Sequence, residues 1–275
     1  MSKGLPRSIE RVVDISILVA IPALLTSIHF LLPASVYENL VFTFDNANPV
    51  TAWTTAYLHE SPRHLYDNLA GYATAIGFTY YLYAAELQRR RLFWTTVAVL
   101  LAVTPFVTTA IDYIILYQYA GLLAASGTSV GFSGIVSAFG GMLFAGIGGF
   151  VAAEYDAWDA LHTVLLITLA ALGALTTINS ILTPTIAVLL SIGFILLGVQ
   201  LVPAAVIRSP AQRSNYLRQH AGTATTVVVC GTVVCVLVVG MLPLNVVQNG
   251  SFVNILAHTT GFIFGAGVAH LLLLR

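Results

Sequence analysis

The sequence predicts an all-α fold, a polytopic membrane helix bundle, on three observations. Only 8% of the 275 residues are Asp, Glu, Lys or Arg, while 58% are hydrophobic and the mean hydropathy is +0.89. A soluble globular protein carries about 25% charged residues. Apolar runs long enough to span a bilayer as helices, which takes roughly 20 residues, recur along the whole chain. The basic residues fall on one side of the topology that these runs define. Eleven acids and eleven bases cannot clothe a soluble protein of this size, and a formal net charge of zero leaves no basic patch for nucleic acid. A soluble enzyme, a nucleic-acid binder and a disordered chain are therefore excluded. One membrane-embedded domain is expected over residues 1–275, with the lipid bilayer as its surroundings.

Eight spans are read, at 12–33, 64–87, 92–118, 132–153, 160–180, 184–206, 221–243 and 252–274. Their length and their Gly and Ala content argue helices rather than the alternating short segments of a barrel. The first run is too long for a cleaved signal peptide, contains Asp14 and lacks a small-residue exit, since Leu31, Leu32 and Pro33 follow directly. Cys230 and Cys235 lie inside one apolar run and read as packing residues, not as a disulfide.

The charges orient the spans. With the N-terminus inside, the inner segments hold Lys3, Arg7 and Arg11, then Arg89, Arg90 and Arg91, then Arg208, Arg213 and Arg218, then Arg275, which leaves only Arg63 outside. Both termini are then cytoplasmic. The inner loop with Glu154, Asp156 and Asp159 is acidic, which counts little in topology. Segment 34–63 is a long outer connection whose Trp53, Tyr57 and apolar residues suggest immersion at the membrane interface. Segment 119–131 is rich in small residues, as irregular backbone buried in protein would be.

Three polar groups interrupt the runs near the outer face. His59, His64 and Asn68 stand where the second span begins, with His64 and Asn68 on one helix face. Gly131-Phe132-Ser133-Gly134 opens the fourth span. His258, followed by Gly261 and Gly265, lies about 9 Å below the outer end of the eighth. These three spans run in the same direction, so their first turns share one level. Small residues at Ser133, Ser137, Gly141, Ala145 and Gly149, and at Gly261, Gly265 and Ala269, predict close packing of the fourth and eighth spans. Ser133 beside His258 would be a nucleophile with its general base. Asn68, the Ser133 backbone N–H at a helix start and His64 could stabilise a developing oxyanion. The chemistry is acyl transfer, most simply peptide hydrolysis within the bilayer.

These residues resemble the rhomboid family of intramembrane serine proteases in three motifs: His59-x4-His64-x3-Asn68, Gly131-x-Ser133-Gly134 and Ala257-His258-x2-Gly261-x3-Gly265. The resemblance implies a rhomboid-like core, a Ser133–His258 dyad without an acid, His64 and Asn68 around the oxyanion, and supporting roles for His59, Gly131, Gly134, Gly261 and Gly265. It further implies substrates that are single-span transmembrane proteins cut in or near the outer leaflet, and no cofactor and no metal. The expected location is a prokaryotic cell membrane, multi-pass, with the site opening to the extracytoplasmic side. The chain departs from the family in three respects. Residues 160–243 hold two more spans than the usual core. The Trp-Arg pair of the family's first outer loop is absent, since Thr54 follows Trp53. Ser137 stands where the family often has an aromatic that stacks on the histidine, and it is expected to hydrogen-bond and orient His258 instead.

A lone membrane serine is ordinarily a packing residue, whereas an ionisable group at depth ordinarily marks function. Asp112 is expected to be a solvated interfacial acid, and Asp67 to point away from Asn68. His29, His162, His220 and His270 fall near span ends or in a loop and need no function. His59-Glu60 is no zinc-protease motif, because Arg63 occupies the second ligand position and Pro62 breaks the helix. An inactive, client-binding relative and a transporter are the alternative readings. The retained Ser133 and His258 weigh against the first; the lack of a clear internal repeat and the high position of the polar groups weigh against the second.

Overall fold

The computed structural model describes residues 7–124, 127–181, 183–206, 210–242, 247–248, 251–252 and 254–275. Lys3 and Arg208, both used to orient the spans, lie outside them. Each of the eight predicted runs coincides with a helix. These are α1 (Arg7–Leu31), α4 (Pro62–Tyr80, continued by a wider π turn over Tyr81–Glu86), α5 (Arg90–Ile111, continued by a π turn over Asp112–Tyr119), α6 (Ser133–Glu154), α7 (Ala157–Ile178), α8 (Pro184–Val206), α9 (Pro210–Met241) and α10 (Ile255–Leu273). Six helices among the described residues are long and apolar enough to cross a membrane: Ser8–Leu31, Arg90–Tyr119, Ser133–Glu154, Ala157–Ile178, His220–Met241 and Ile255–Leu273. The chain is thus an all-α, multi-pass membrane helix bundle. Helix α4 has the length but not the hydropathy, because Arg63, His64, Asp67 and Asn68 crowd its outer turns.

Helix α6 is the hub. It is buried over most of its length and packs against α10, α4, α9, α7 and α5, while α8 packs on α7 and α1 on α4. The core around it is aromatic and aliphatic: Tyr72 and Tyr83 of the α4 arm, Phe93 and Leu100 of α5, and Phe139, Met142 and Leu143 of α6 are at most 2% exposed. Free Cys230 is buried in this core and Cys235 is half-buried, as packing residues should be.

The connection 34–63, outer in the predicted topology, is not a loop but a small folded layer, hereafter the outer layer. It comprises α2 (Ala34–Leu40), strand β1 (Phe42–Thr43), α3 (Pro49–Thr54) and a 3-10 turn at Thr55–Tyr57. Asn48 caps α3 by accepting from Val50 N, and Pro49 sits in the first helical turn, where its missing N–H costs nothing. Strand β1 pairs antiparallel with β2 (Thr128–Ser129), and β3 (Val247–Gln248) pairs with β4 (Ser251–Phe252) just before α10. The expectation that 119–131 is buried fails in its first half. Tyr119 is 90% and Leu122 73% exposed, because the π turn carries α5 outward past its neighbours.

Two prolines inside spans each free a carbonyl one turn back, and in a bilayer such a group needs an internal donor. Pro105 leaves Leu101 O without its helical partner, and the Tyr57 hydroxyl of the outer layer donates to it at 2.7 Å. Pro22 does the same to Leu18 O in α1, which receives the Tyr72 hydroxyl of α4 at 3.0 Å. Trp53 Nε1 donates to Ala102 O at 3.1 Å, so both aromatics of the predicted interfacial loop are tied to α5.

The end of the bundle that the predicted topology places inside is fastened by Asp14, which is fully buried in α1. Its Oδ1 receives Arg90 Nη2 at 2.6 Å and Trp94 Nε1 at 2.8 Å, and its Oδ2 receives Arg90 Nε at 2.7 Å and the Tyr80 hydroxyl at 2.9 Å. A carboxylate so enclosed is tolerated because every acceptor site is filled. Arg90→Ala is therefore predicted to lower stability by about 3 kcal/mol, and pairing it with Asp14→Leu to recover most of that loss. Reversible unfolding in detergent measures both; a double variant no more stable than the single would refute this account of the cluster.

Candidate active site

The site begins with how α6 starts. Phe132, fully buried against the rings of Tyr57 and Tyr72 at 5.8 and 6.0 Å, is the N-cap residue, so Ser133 opens the first turn. The backbone just before it is clamped by the outer layer. Gly131 N donates to Thr55 O at 3.1 Å, and the Thr55 hydroxyl is bonded to Ser129 O. Gly131 adopts φ +129°, and a Cβ there would stand 2.7 Å from the His64 ring and 3.8 Å from Asn68 Nδ2. Only glycine satisfies both the backbone angle and the space.

Two further contacts set the level. Gly71 of α4 meets Val136 of α6, a Cβ at Gly71 falling 2.9 Å from Val136 Cγ1, and Gly261 of α10 lies directly on Gly134 O of α6. Asn68 stands three residues before Gly71, Ser133 three before Val136 and one before Gly134, and His258 three before Gly261. The α6–α10 seam continues in the same register, with Gly265 on Ala138 O and Gly141 on Phe262 O, backbone against backbone. The stripe predicted to bring these helices together does so.

Within this frame His258 is 8% exposed and Ser133 partly buried. The His258 Nδ1 lies 2.5 Å from Met241 O, the last residue of α9. A carbonyl only accepts, so Nδ1 carries the proton, and Nε2 keeps the lone pair that a base needs. Met241 therefore takes the orienting role expected of Ser137. The Ser137 hydroxyl instead donates to Ser133 O at 2.8 Å and contacts Met241 Sδ at 3.0 Å. Position 137 is fully buried on the hub helix, where a hydroxyl is satisfied by the carbonyl one turn back rather than across the seam. Among the described residues Ser133 Oγ has no hydrogen-bond partner. Beside Met241, an apolar cavity of about 190 Å³ between α6, α7, α9 and α10 reaches His258, with Phe144, Ile167, Val238 and Phe262 in its walls.

Asn68 is 6% exposed, and its Nδ2 has no partner among the described residues. A buried donor without an acceptor is costly, and here it stands beside the backbone that leads into Ser133. His64 is half-buried over Gly131. Asp67 faces away, exposed and in a 3.9 Å pair with Arg63. No group of three metal-ligating side chains suited to a metal ion occurs among the described residues.

His59 is deeply buried: it is 2% exposed, neither ring nitrogen has a partner among the described residues, and the rings of His64 and His29 lie 5.2 and 6.5 Å away. One expectation is overturned. Asp112 is not a solvated acid: it is 1% exposed and bonded to Asn254 at the start of α10. Sequence reasoning also missed Thr55, Phe132, Met241 and Asn254. Of these, only Asn254 had a signal, an Asx residue just before an apolar run. Comparisons with profiles of known protein families, with curated proteins and with solved structures find no match.

Burial first, then the neighbouring charges of His64 and His29, push His59 down to about 3 from 6.5. The unfolded chain takes this proton near 6.5 and the folded one only near 3, so stability drops as pH falls through that window. His59→Phe is predicted to reduce the slope of stability against pH by about one proton between about pH 6 and 4; a parallel slope would contradict it. For the seam, Gly261→Ala is predicted to destabilise by about 1–3 kcal/mol through overlap with Gly134 O. Gly267→Ala, with open space around it, is predicted to be neutral or stabilising by under about 1 kcal/mol. Equal thermal shifts in these two variants would show that the close approach is not needed.

Proposed function

We propose that the chain is an intramembrane serine endopeptidase of rhomboid type, hydrolysing peptide bonds of single-span transmembrane proteins through Ser133 and His258. What supports the reading is that Asn68, Ser133 and His258 all lie within one turn of the close helix contacts at Gly71–Val136 and Gly261–Gly134, with the Asn68 amide unpaired among the described residues beside Gly131. In the proposed reaction Ser133 Oγ attacks the scissile carbonyl as its proton passes to His258 Nε2. The oxyanion is held by Asn68 Nδ2 and the Ser133 N–H, which as a first-turn amide has no helical acceptor, with His64 at its edge. The imidazolium returns the proton to the leaving amine, and water then hydrolyses the acyl-serine by the same base. Met241 O, holding Nδ1–H, supplies the orientation that a buried acid would give elsewhere.

The topology proposed with it has eight spans, α4 and α8 completing the set, with both termini cytoplasmic and the site opening to the extracytoplasmic side of the cell membrane. The arginines at 89–91 and at 275, at the ends of α5 and α10 remote from the site, support that orientation. The purified protein in detergent or liposomes is predicted to cleave a model single-span substrate. Ser133→Ala and His258→Ala should each abolish cleavage, and Asn68→Ala should lower kcat by about 10²–10³ with little change in KM. Wild type and Ser133→Ala cleaving equally, or neither cleaving any of several substrates, would overturn the reading.

A further inference from the structure

Asp112 and Asn254 are far apart in sequence, and neither is hydrogen-bonded to Ser133 or to the His258 ring, yet they meet where the histidine helix begins. Asn254 has three roles at that point. Its Oδ1 accepts from Ala257 N at 3.0 Å, capping α10, and its backbone oxygen accepts from His258 N at 3.1 Å. Its Nδ2 donates to Asp112 Oδ2. Only the amide face can donate, so the bond to Asp112 fixes which way the side chain is turned and aims Oδ1 at the helix N–H groups.

The other end of this contact is equally constrained. Asp112 lies where α5 widens into its π turn, a feature that recurs at functional sites. The same end of α5 fixes two other parts of the site. Thr108 packs on Gly134, a Cβ there meeting Thr108 Cγ2 at 3.1 Å, and the Thr109 hydroxyl donates to Ala52 O of the outer layer at 3.2 Å. A buried carboxyl with Oδ1 unpartnered among the described residues is an expensive way to hold a helix end, which calls for a return in function.

We infer that Asp112 is a positioning residue for the proposed peptidase reaction, setting the start of α10 through Asn254 so that His258 is presented to Ser133. The inference rests on the Ser133–His258 reading. It asks for a hydrogen-bond acceptor at 112 and not for a charge. Asp112 is no third member of a triad, because it acts on the helix start and not on the imidazole.

The test compares Asp112→Ala, Asp112→Asn, Asn254→Ser and the Asp112→Ala/Asn254→Ser double variant with wild type and Ser133→Ala, in detergent, on one single-span substrate. Asn254→Ser keeps a capping oxygen while removing the donor to Asp112, so it preserves the helix start if Asp112→Ala proves unstable. Asp112→Ala and Asn254→Ser are expected to lower kcat about fivefold to tenfold with KM within about twofold, and the double variant to be no worse than the worse single. Asp112→Asn retains an acceptor and is expected to keep at least about half of kcat. Hydrogen exchange at the Ala257 and His258 amides reads the same contact without activity: faster in Asp112→Ala, unchanged in Asp112→Asn. Wild-type kcat and exchange in Asp112→Ala, equal loss in Asp112→Asn, or multiplying losses in the double variant would overturn the inference. A wild type no more active than Ser133→Ala would instead sink the peptidase reading, and exchange alone would then decide whether Asp112 sets the helix start.

Discussion

The direct backbone contact between α6 and α10 governs the placement of the polar groups around it. Gly261 lies on Gly134 O, Gly265 on Ala138 O and Gly141 on Phe262 O, so the two helices are closer than any side chain would permit. In lipid, where apolar surface gains little by leaving the tails, close van der Waals contact is a main source of helix association. This contact also fixes the register. Ser133 lies one residue before Gly134 and His258 three before Gly261, so the seam, and not a bond of their own, sets where they stand relative to each other. Helix α4 packs on α6 at Gly71, where the Val136 side chain takes the space a Cβ would fill, with Asn68 one turn away.

Around this seam, polar groups that water would otherwise satisfy are satisfied by distant parts of the chain. Tyr57 and Tyr72 donate to carbonyls freed by Pro105 and Pro22, Asp14 gathers four donors from α4 and α5, and Thr55 holds the strand that leads to Ser133. The exceptions cluster. Asn68 Nδ2, His59, Asp112 Oδ1 and Thr104 Oγ1 lack partners among the described residues, and all but Thr104, in the middle of α5, stand near the start of α4 or the far end of α5. Helices α7 and α8 are attached outside this arrangement, α7 on α6 and α9, and α8 on α7, so residues 160–206 add to the bundle without parting the seam.

Much of this was legible in the sequence because it follows from local pattern. The helices follow from apolar length, and the seam from small residues at every fourth position of two runs. What escaped depends on pairing between remote residues. Nothing in the local sequence of Asp14 announces Arg90, Trp94 and Tyr80. Asp112 read as a solvated acid because its burial is set by Asn254, far along the chain. Segment 34–63 read as an interfacial loop because its strand partner, Thr128–Ser129, sits in another connection. Ser137 is expected to orient His258 only because the resemblance puts a histidine-stacking aromatic at its place. The carbonyl that does so, at Met241, belongs to a backbone position and leaves no mark on residue type.

The proposed site of Ser133, His258 and Asn68 holds no permanent anion, which suits a bilayer where a buried carboxylate is costly. The central claim is that His258 makes Ser133 a nucleophile. Labelling with a fluorophosphonate, which reacts with activated serines, followed by peptide mass analysis, addresses it most directly. A single adduct on Ser133 that disappears in folded His258→Ala is the predicted result. An adduct on a different serine, no adduct on folded wild type, or undiminished labelling of His258→Ala would contradict it.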